Sequence, residues 1–168
     1  MSASLTVLEW NRINRENDWI AQLLKGEDIN LNDIVSAKPE TRLARALFLQ
    51  KQGLHQDALA TLSILLDQGG RELRTKTRYN LGNHYLRQAI AQIEAGRTEE
   101  AKILVNLAKQ AYREALLRDS GFSDAKYNLE VAMRLLPDFD QINTNEESPQ
   151  EPKNPLWTTV PGFPRGLP

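Results

Sequence analysis

The sequence predicts an all-α protein built as a short array of helical hairpins. The tripeptide Tyr-Asn-Leu occurs twice, at residues 79–81 and 127–129, and each copy opens a segment whose apolar residues have helical spacing. Prolines and glycines are concentrated between such segments and near the C-terminus, and little of the chain shows the alternation of a strand. A motif that recurs at the start of a helix is typical of a repeat protein.

The first predicted helix covers about residues 8–25 and ends before Gly26, the residue type that commonly terminates helices. One broad face of this helix is apolar and comprises Trp10, Ile13, Ile20, Leu23 and Leu24. We expect the helix to pack over the exposed face of the first hairpin, because a short array has to cover its ends. The alternative is that it follows a membrane anchor that is missing from the sequence.

The first hairpin is predicted from helices at about 39–52 and 55–67. Its apolar positions are Leu43, Ala46, Leu47, Leu49, Ala58, Leu59, Leu62, Leu65 and Leu66. Gly53, Ala58 and Leu62 resemble the turn glycine, the small residue and the large apolar residue of a tetratricopeptide repeat. The pattern is imperfect, since Arg45 stands at a position where that family usually has leucine.

The second hairpin is predicted from helices at about 72–95 and 98–118. The segment from Arg78 to Tyr85 resembles the first helix of a tetratricopeptide repeat, with leucine, glycine and tyrosine in that family's order. Gly82 lacks a side chain, so we expect it to contact the helix that begins at Thr98. Each helix is about seven residues longer than the repeat pattern, roughly two turns or ~10 Å, which predicts one elongated hairpin.

A last helix is predicted at about 123–136 and stops at Pro137, so that residues 1–136 form one helical domain. Residues 137–155 are rich in acidic and amide side chains and predict a flexible acidic linker. Residues 156–168 form a tail in which Trp157 and Phe163 are separated by prolines and glycines and are followed by Arg165. This composition is typical of an extended recognition peptide. The alternative is that the tail folds back and fills the groove of its own repeats.

Composition excludes several classes of function. The 168 residues include 21 basic and 22 acidic residues and no cysteine, which argues against a general nucleic-acid binder and against a thiolate zinc site. His55 and His84 are far apart in sequence, and neither has a second ligand at metal-binding spacing. No phosphate loop or nucleophile motif is present. We therefore expect a protein that is not an enzyme, with no catalytic residue, no metal site and no cofactor.

The resemblance to tetratricopeptide repeats also implies where a partner would bind. In that family the groove is lined by first-helix residues beside the packing positions. The corresponding residues here are Tyr79, Asn80, Asn83, Arg87, Tyr127, Asn128 and Val131. Asn80 and Asn128 are expected to hold the backbone of an extended peptide through paired donor and acceptor groups. The alternative is that these asparagines only form hydrogen bonds between helices.

A narrower resemblance covers most of the chain except the acidic linker. The segments around Trp10–Asn17, Gly53–Leu59, Arg78–Asn83, Ala108–Leu116 and Ala125–Glu130, with the ending Pro161–Pro168, are similar to MxaK-type proteins. That resemblance implies an accessory in the maturation of a calcium- and quinone-dependent methanol dehydrogenase. The implied partners are a MoxR-type ATPase, von Willebrand A domain proteins and methanol dehydrogenase itself. Similar proteins usually carry an N-terminal membrane anchor, so the implied location is periplasmic and possibly membrane-anchored, with a cytoplasmic location as the alternative.

Together these features predict a protein-protein interaction scaffold, or adaptor, in which the groove or the long hairpin engages one protein and the tail another. A general peptide-binding module with chaperone-like action on unfolded chains is the alternative. A weaker third possibility is a subunit that an enzyme requires in stoichiometric amount.

Overall fold

The computed structural model describes residues 2–136, and the side chains of residues 8–30 and 32–136. These residues form seven α-helices and no strand, which confirms the all-α prediction. The helices are α1 (Ser2–Lys25), α2 (Leu31–Ser36), α3 (Pro39–Lys51), α4 (His55–Leu65), α5 (Arg71–Glu94), α6 (Thr98–Arg118) and α7 (Ser123–Leu135). The predicted linker 137–155 and tail 156–168, with Trp157, Phe163 and Arg165, lie outside the described residues.

The turns of the two hairpins have the chemistry that the sequence predicts. Gly53 lies between α3 and α4 with φ +77°, and Gly96 lies between α5 and α6 with φ +74°. Side chains rarely adopt this left-handed conformation, so glycine is the favoured residue at both turns. The short turns fold α3 back against α4 and α5 back against α6.

The core that joins the two hairpins is apolar and is built from α3, α4, α5 and α6. Its buried members are Leu43, Ala46, Leu62, Leu65, Leu73, Leu81 and Ala111. A second core cluster joins α5, α6 and α7, and comprises Leu86, Ala89, Val105, Ala108, Tyr112 and Ala132. Because α5 contacts α3, α4, α6 and α7, it is the central helix of the array.

The elongated hairpin is confirmed, and Gly82 is its closest contact. A Cβ atom at Gly82 would lie 2.5 Å from Cε1 and 2.7 Å from Cδ1 of Tyr112, a residue of α6. Tyr112 is fully buried, so its ring cannot easily move aside. The helix that begins at Thr98 therefore packs on Gly82 as predicted, and the ring of Tyr112 occupies the space that any other side chain would need.

The packing face predicted for the first helix was partly wrong. The helix covers α3, as expected, but its buried side chains are Glu16, Trp19 and Leu23. Trp10 is 65% exposed and Leu24 is 81% exposed. Among the α1 side chains that the structure describes, from Leu8 onward, the buried ones lie in the C-terminal half of the helix.

Two features of this end of the array were not predicted. Ile34 of the short helix α2 and the flanking residues Ile29 and Ala37 form one buried cluster with Trp19 and Leu23 of α1. Six residues are too few to give a periodic pattern. Arg45, the departure from the leucine of the repeat pattern, donates to both carboxylate oxygens of Asp28, at 2.7 and 2.8 Å. The bidentate pair explains why a cation replaces an apolar residue here.

Candidate partner-binding groove

One stripe of polar side chains follows the length of α5. Glu72, Lys76, Asn80, Asn83 and Arg87 recur at intervals of three or four residues, so they lie on one face of the helix. Glu72, Lys76 and Arg87 are exposed, and the two asparagines are half-buried. We call this row the α5 stripe.

Two cavities open on either side of the N-terminal half of the α5 stripe. The smaller, of about 440 Å³, lies between α3 and α5. Its lining is mostly apolar and includes Leu43, Ala44, Leu47 and Leu73, with Glu40 at one edge. Leu47 is 39% exposed, so an apolar contact surface remains accessible there.

The larger cavity, of about 560 Å³, lies between α5 and the turn that connects α6 to α7. Thr75, Asp119 and Phe122 line it together with Arg71. The ring of Phe122 is held in place by Tyr79, with ring centroids 4.8 Å apart.

Glu72 and Lys76 line both cavities and form the ridge between them. Nζ of Lys76 lies 2.6 Å from Oε1 of Glu72, and both side chains are more than half exposed. The hydrogen bond from Lys76 lowers the pKa of the Glu72 carboxyl. An exposed pair of this kind contributes little to folding, so both groups can exchange partners with a bound chain. We call the ridge and its two cavities the α5 groove.

Three of the predicted site residues take part in a polar network between helices. Nδ2 of Asn128 donates to Oδ1 of Asn83 at 2.8 Å and to the hydroxyl of Tyr79 at 3.3 Å. The hydroxyl of Tyr112 donates to the same Oδ1 of Asn83 at 2.8 Å. Burial, and then the neighbouring Tyr79, raise the pKa of Tyr112, which keeps its hydroxyl protonated and able to donate. The network joins α5, α6 and α7.

The other predicted residues are placed differently. Asn80 donates from Nδ2 to the carbonyl of Lys76 at 2.8 Å, and Arg87 donates to the side chain of Gln50 on α3. Tyr127 is 68% exposed on α7, whereas Val131 packs against the second core cluster. Of the two asparagines expected to hold a peptide, Asn128 forms the bonds between helices that the alternative describes, whereas the amide of Asn80 bonds within α5. A role of these residues in partner binding stays a prediction.

Sequence reasoning missed the residues that line the cavities. Glu72 and Lys76 precede Asn80 by eight and four residues, so extending the same helical face toward the N-terminus would have found them. Leu47 was expected to be a core residue. Helical spacing gave no sign that α5 leaves part of the Leu47 side chain uncovered. Phe122 lies in a turn, where periodicity carries no information.

The two histidines are far apart in sequence but meet in the fold. Their ring centroids are 5.9 Å apart. His84 is only 4% exposed, and this burial, helped by the charges of His55 and Arg87, lowers its pKa to about 4. It is therefore neutral at pH 7. Among the described residues, no group of three or more His, Cys, Asp or Glu side chains is arranged to hold a metal ion.

Comparisons with known proteins leave the family of this chain open. No protein-family model, no curated protein and no solved structure matches the chain. Within residues 2–136, none of the helices combines the length and the apolar character that crossing a bilayer requires.

Proposed function

We propose that this protein is a non-enzymatic interaction scaffold that holds a segment of a partner protein in the α5 groove. The observation that carries the proposal is the pair of cavities that share Glu72 and Lys76. Such an arrangement suits an extended segment that places one apolar side chain beside Leu47 and another beside Phe122. The exposed ion pair between the two cavities offers one donor and one acceptor to the segment's polar groups.

The similarity to MxaK-type proteins supplies the proposed context. In that context the scaffold would act in the maturation of methanol dehydrogenase. Its candidate partners are a MoxR-type ATPase, von Willebrand A domain proteins and the dehydrogenase. The tail, with Trp157, Phe163 and Arg165, is proposed to contact a second protein. A periplasmic location belongs to the same proposal.

The polar network favours a specific partner over the chaperone-like alternative. Nδ2 of Asn128 donates to Asn83 and Tyr79, and Oδ1 of Asn83 accepts from Asn128 and Tyr112, so these groups are not free to hold the backbone of an arbitrary peptide. Sequence-tolerant binding would need such free amide groups. Recognition then depends on the apolar cavities, which select side chains by shape.

The proposal is tested by measuring binding of the purified chain to each candidate partner with biolayer interferometry. Leu47→Lys places a charge at the edge of the smaller cavity and should weaken binding of the true partner at least about tenfold, since a charge cannot be buried unpaired in an apolar contact. Ile103→Lys is the matched control, because Ile103 is 63% exposed on α6 and does not line the groove. Equal affinities for the two variants would remove the groove from the binding surface. Aggregation assays with unrelated unfolded proteins distinguish the scaffold from the chaperone-like alternative. Only the chaperone-like alternative predicts that the chain protects every one of these proteins from aggregation.

A further inference from the structure

Four arginines meet where the C-terminal ends of α4 and α6 approach the first turns of α5. They are Arg71, Arg74 and Arg78 of α5 and Arg118 of α6, and we call this region the arginine cleft. Arg71, Arg74 and Arg78 recur at intervals of three and four residues and share one helix face. Two carboxylates, those of Asp67 and Glu114, lie in the same region.

Two of the arginines have structural partners that explain their presence. Nε of Arg71 donates to the carbonyl of Arg118 at 2.6 Å, and Arg78 donates to the carbonyl of Leu66. Each guanidinium thus satisfies a carbonyl at the C-terminal end of a neighbouring helix, where cations are favoured. Arg78 is also paired with Glu114, with Nε 3.2 Å from Oε2.

Arg74 has no such partner. The residue is half-buried, its Nε is buried without a hydrogen bond, and its guanidinium makes no hydrogen bond or ion pair with any described residue. A buried donor that lacks an acceptor costs about 1–3 kcal/mol, and more when the group is charged. The two Nη groups are not among the buried unpaired atoms, so they remain accessible to an anion.

The antiparallel register of α5 and α6 brings Arg74 to the last turn of α6. Arg78 pairs with Glu114, and Arg71 bonds to the carbonyl of Arg118. Arg74 lies between Arg71 and Arg78, so it faces the segment between Glu114 and Arg118. Arg118 uses Nη1 to donate to the carbonyl of Glu114 at 3.0 Å, which leaves its other guanidinium N–H groups for a ligand.

The charges of the cleft favour an anion. Four guanidinium groups face two carboxylates and two helix ends that each carry about half a negative charge. The balance is a surplus of about one positive charge, and Arg78 is the one guanidinium of the four that pairs with a carboxylate among the described residues. Guanidinium groups bind oxyanions through paired, charge-assisted N–H donors.

We propose that Arg74 and Arg118 form a binding site for an oxyanion, supplied either by the carboxylates of an acidic peptide or by a phosphate group. The site lies on a different face of α5 from the Glu72–Lys76 ridge. Arg71, at the edge of the cleft, also lines the larger cavity of the α5 groove, but Arg74 and Arg118 line neither cavity. A bound oxyanion would accept hydrogen bonds from the accessible Nη groups of Arg74 and would separate two like charges.

The experiment is a thermal-unfolding titration of the full chain with inorganic phosphate in one arm and a hexaglutamate peptide in the other, each against sodium chloride at equal ionic strength. The wild-type chain should be stabilised by at least one of the two anions. Arg74→Met and Arg118→Met should each lower the apparent affinity at least about tenfold, because each removes charge-assisted donors. Arg12→Met is the matched control, since Arg12 is an exposed arginine of α1 far along the chain from the cleft.

Arg74→Met has a second expected effect that a purely structural arginine would not show. Without added anion, its melting temperature should equal or exceed that of the parent, because methionine has no donor to leave unsatisfied. A stronger response to hexaglutamate assigns the site to acidic peptides, and a stronger response to phosphate assigns it to phosphate groups. The proposal is overturned if neither anion stabilises the wild-type chain, or if Arg74→Met and Arg118→Met respond as strongly as Arg12→Met does.

Discussion

Gly82 sets how closely α5 and α6 approach, because the ring of Tyr112 lies where its side chain would be. Gly82→Leu should lower the free energy of unfolding by about 1–3 kcal/mol or more, the usual cost of overpacking a close contact. Urea unfolding followed by circular dichroism measures this loss. Gly70→Ala is the control, because Gly70 has φ −73° and an added Cβ would meet nothing within 4 Å. Equal losses in the two variants would show that the contact with Tyr112 is not tight.

The burial of His84 predicts a dependence of stability on pH. Its pKa is about 4 in the folded chain and about 6.5 in the unfolded chain. Between these values the unfolded state binds more protons, so stability rises with pH and is lost as the pH falls from 6.5 to 4. The difference corresponds to about 3 kcal/mol.

The measurement is the free energy of unfolding of the wild-type chain and of His84→Gln at several pH values from 7 to 4.5. The wild type should lose stability more steeply than the variant. His55→Gln is the control and should keep most of the wild-type slope, because burial is the largest cause of the lowered pKa. Parallel profiles for the wild type and His84→Gln would contradict the assignment.

At the scale of elements, α7 is joined to the long hairpin by the network of Asn83, Asn128, Tyr79 and Tyr112. Asn128→Ala and Asn83→Ala should each cost about 1–3 kcal/mol, because each removes hydrogen bonds of this network, and Asn83→Ala also leaves the buried hydroxyl of Tyr112 without its acceptor. In a double-mutant cycle the two losses should be less than additive by at least about 0.5 kcal/mol. Strict additivity in urea unfolding would mean that the two amides act independently.

The elements that sequence reasoning located best are those whose spacing repeats. The ends of α5 and α6 were predicted within one residue, since Gly96 and the paired insertions fix the length of both helices. The packing face of α1 was not predicted, because helical spacing shows which residues share a face and not how far a neighbouring helix extends along it. The position of the groove could not be predicted for the same reason. Asn80 and Arg87 mark the stripe in the sequence, but the cavities exist only where α3 and the turn at Phe122 stand apart from α5.

At the scale of the whole molecule, the helical domain and the C-terminal tail are predicted to have separable roles. Deleting residues 156–168 should leave the melting temperature of the helical domain nearly unchanged, and Trp157→Ala combined with Phe163→Ala should abolish one complex without lowering that temperature. Burying each aromatic side chain can contribute about 1.5–3 kcal/mol. If the tail stabilised the fold, its removal would therefore lower the melting temperature measured by calorimetry. A double variant that melts several degrees lower and retains every partner would assign the tail a structural role.

The central claim is that a partner binds across the α5 groove, and a hydrogen-exchange footprint of the complex tests it most directly. Peptides that cover Glu40 to Leu47 and Gly70 to Lys76 should exchange more slowly when the partner is bound, because these segments line the cavities. Peptides around Ile103 and Leu107, exposed on α6, should be unchanged. Protection confined to α6, with the segments of α3 and α5 unaffected, would contradict the account.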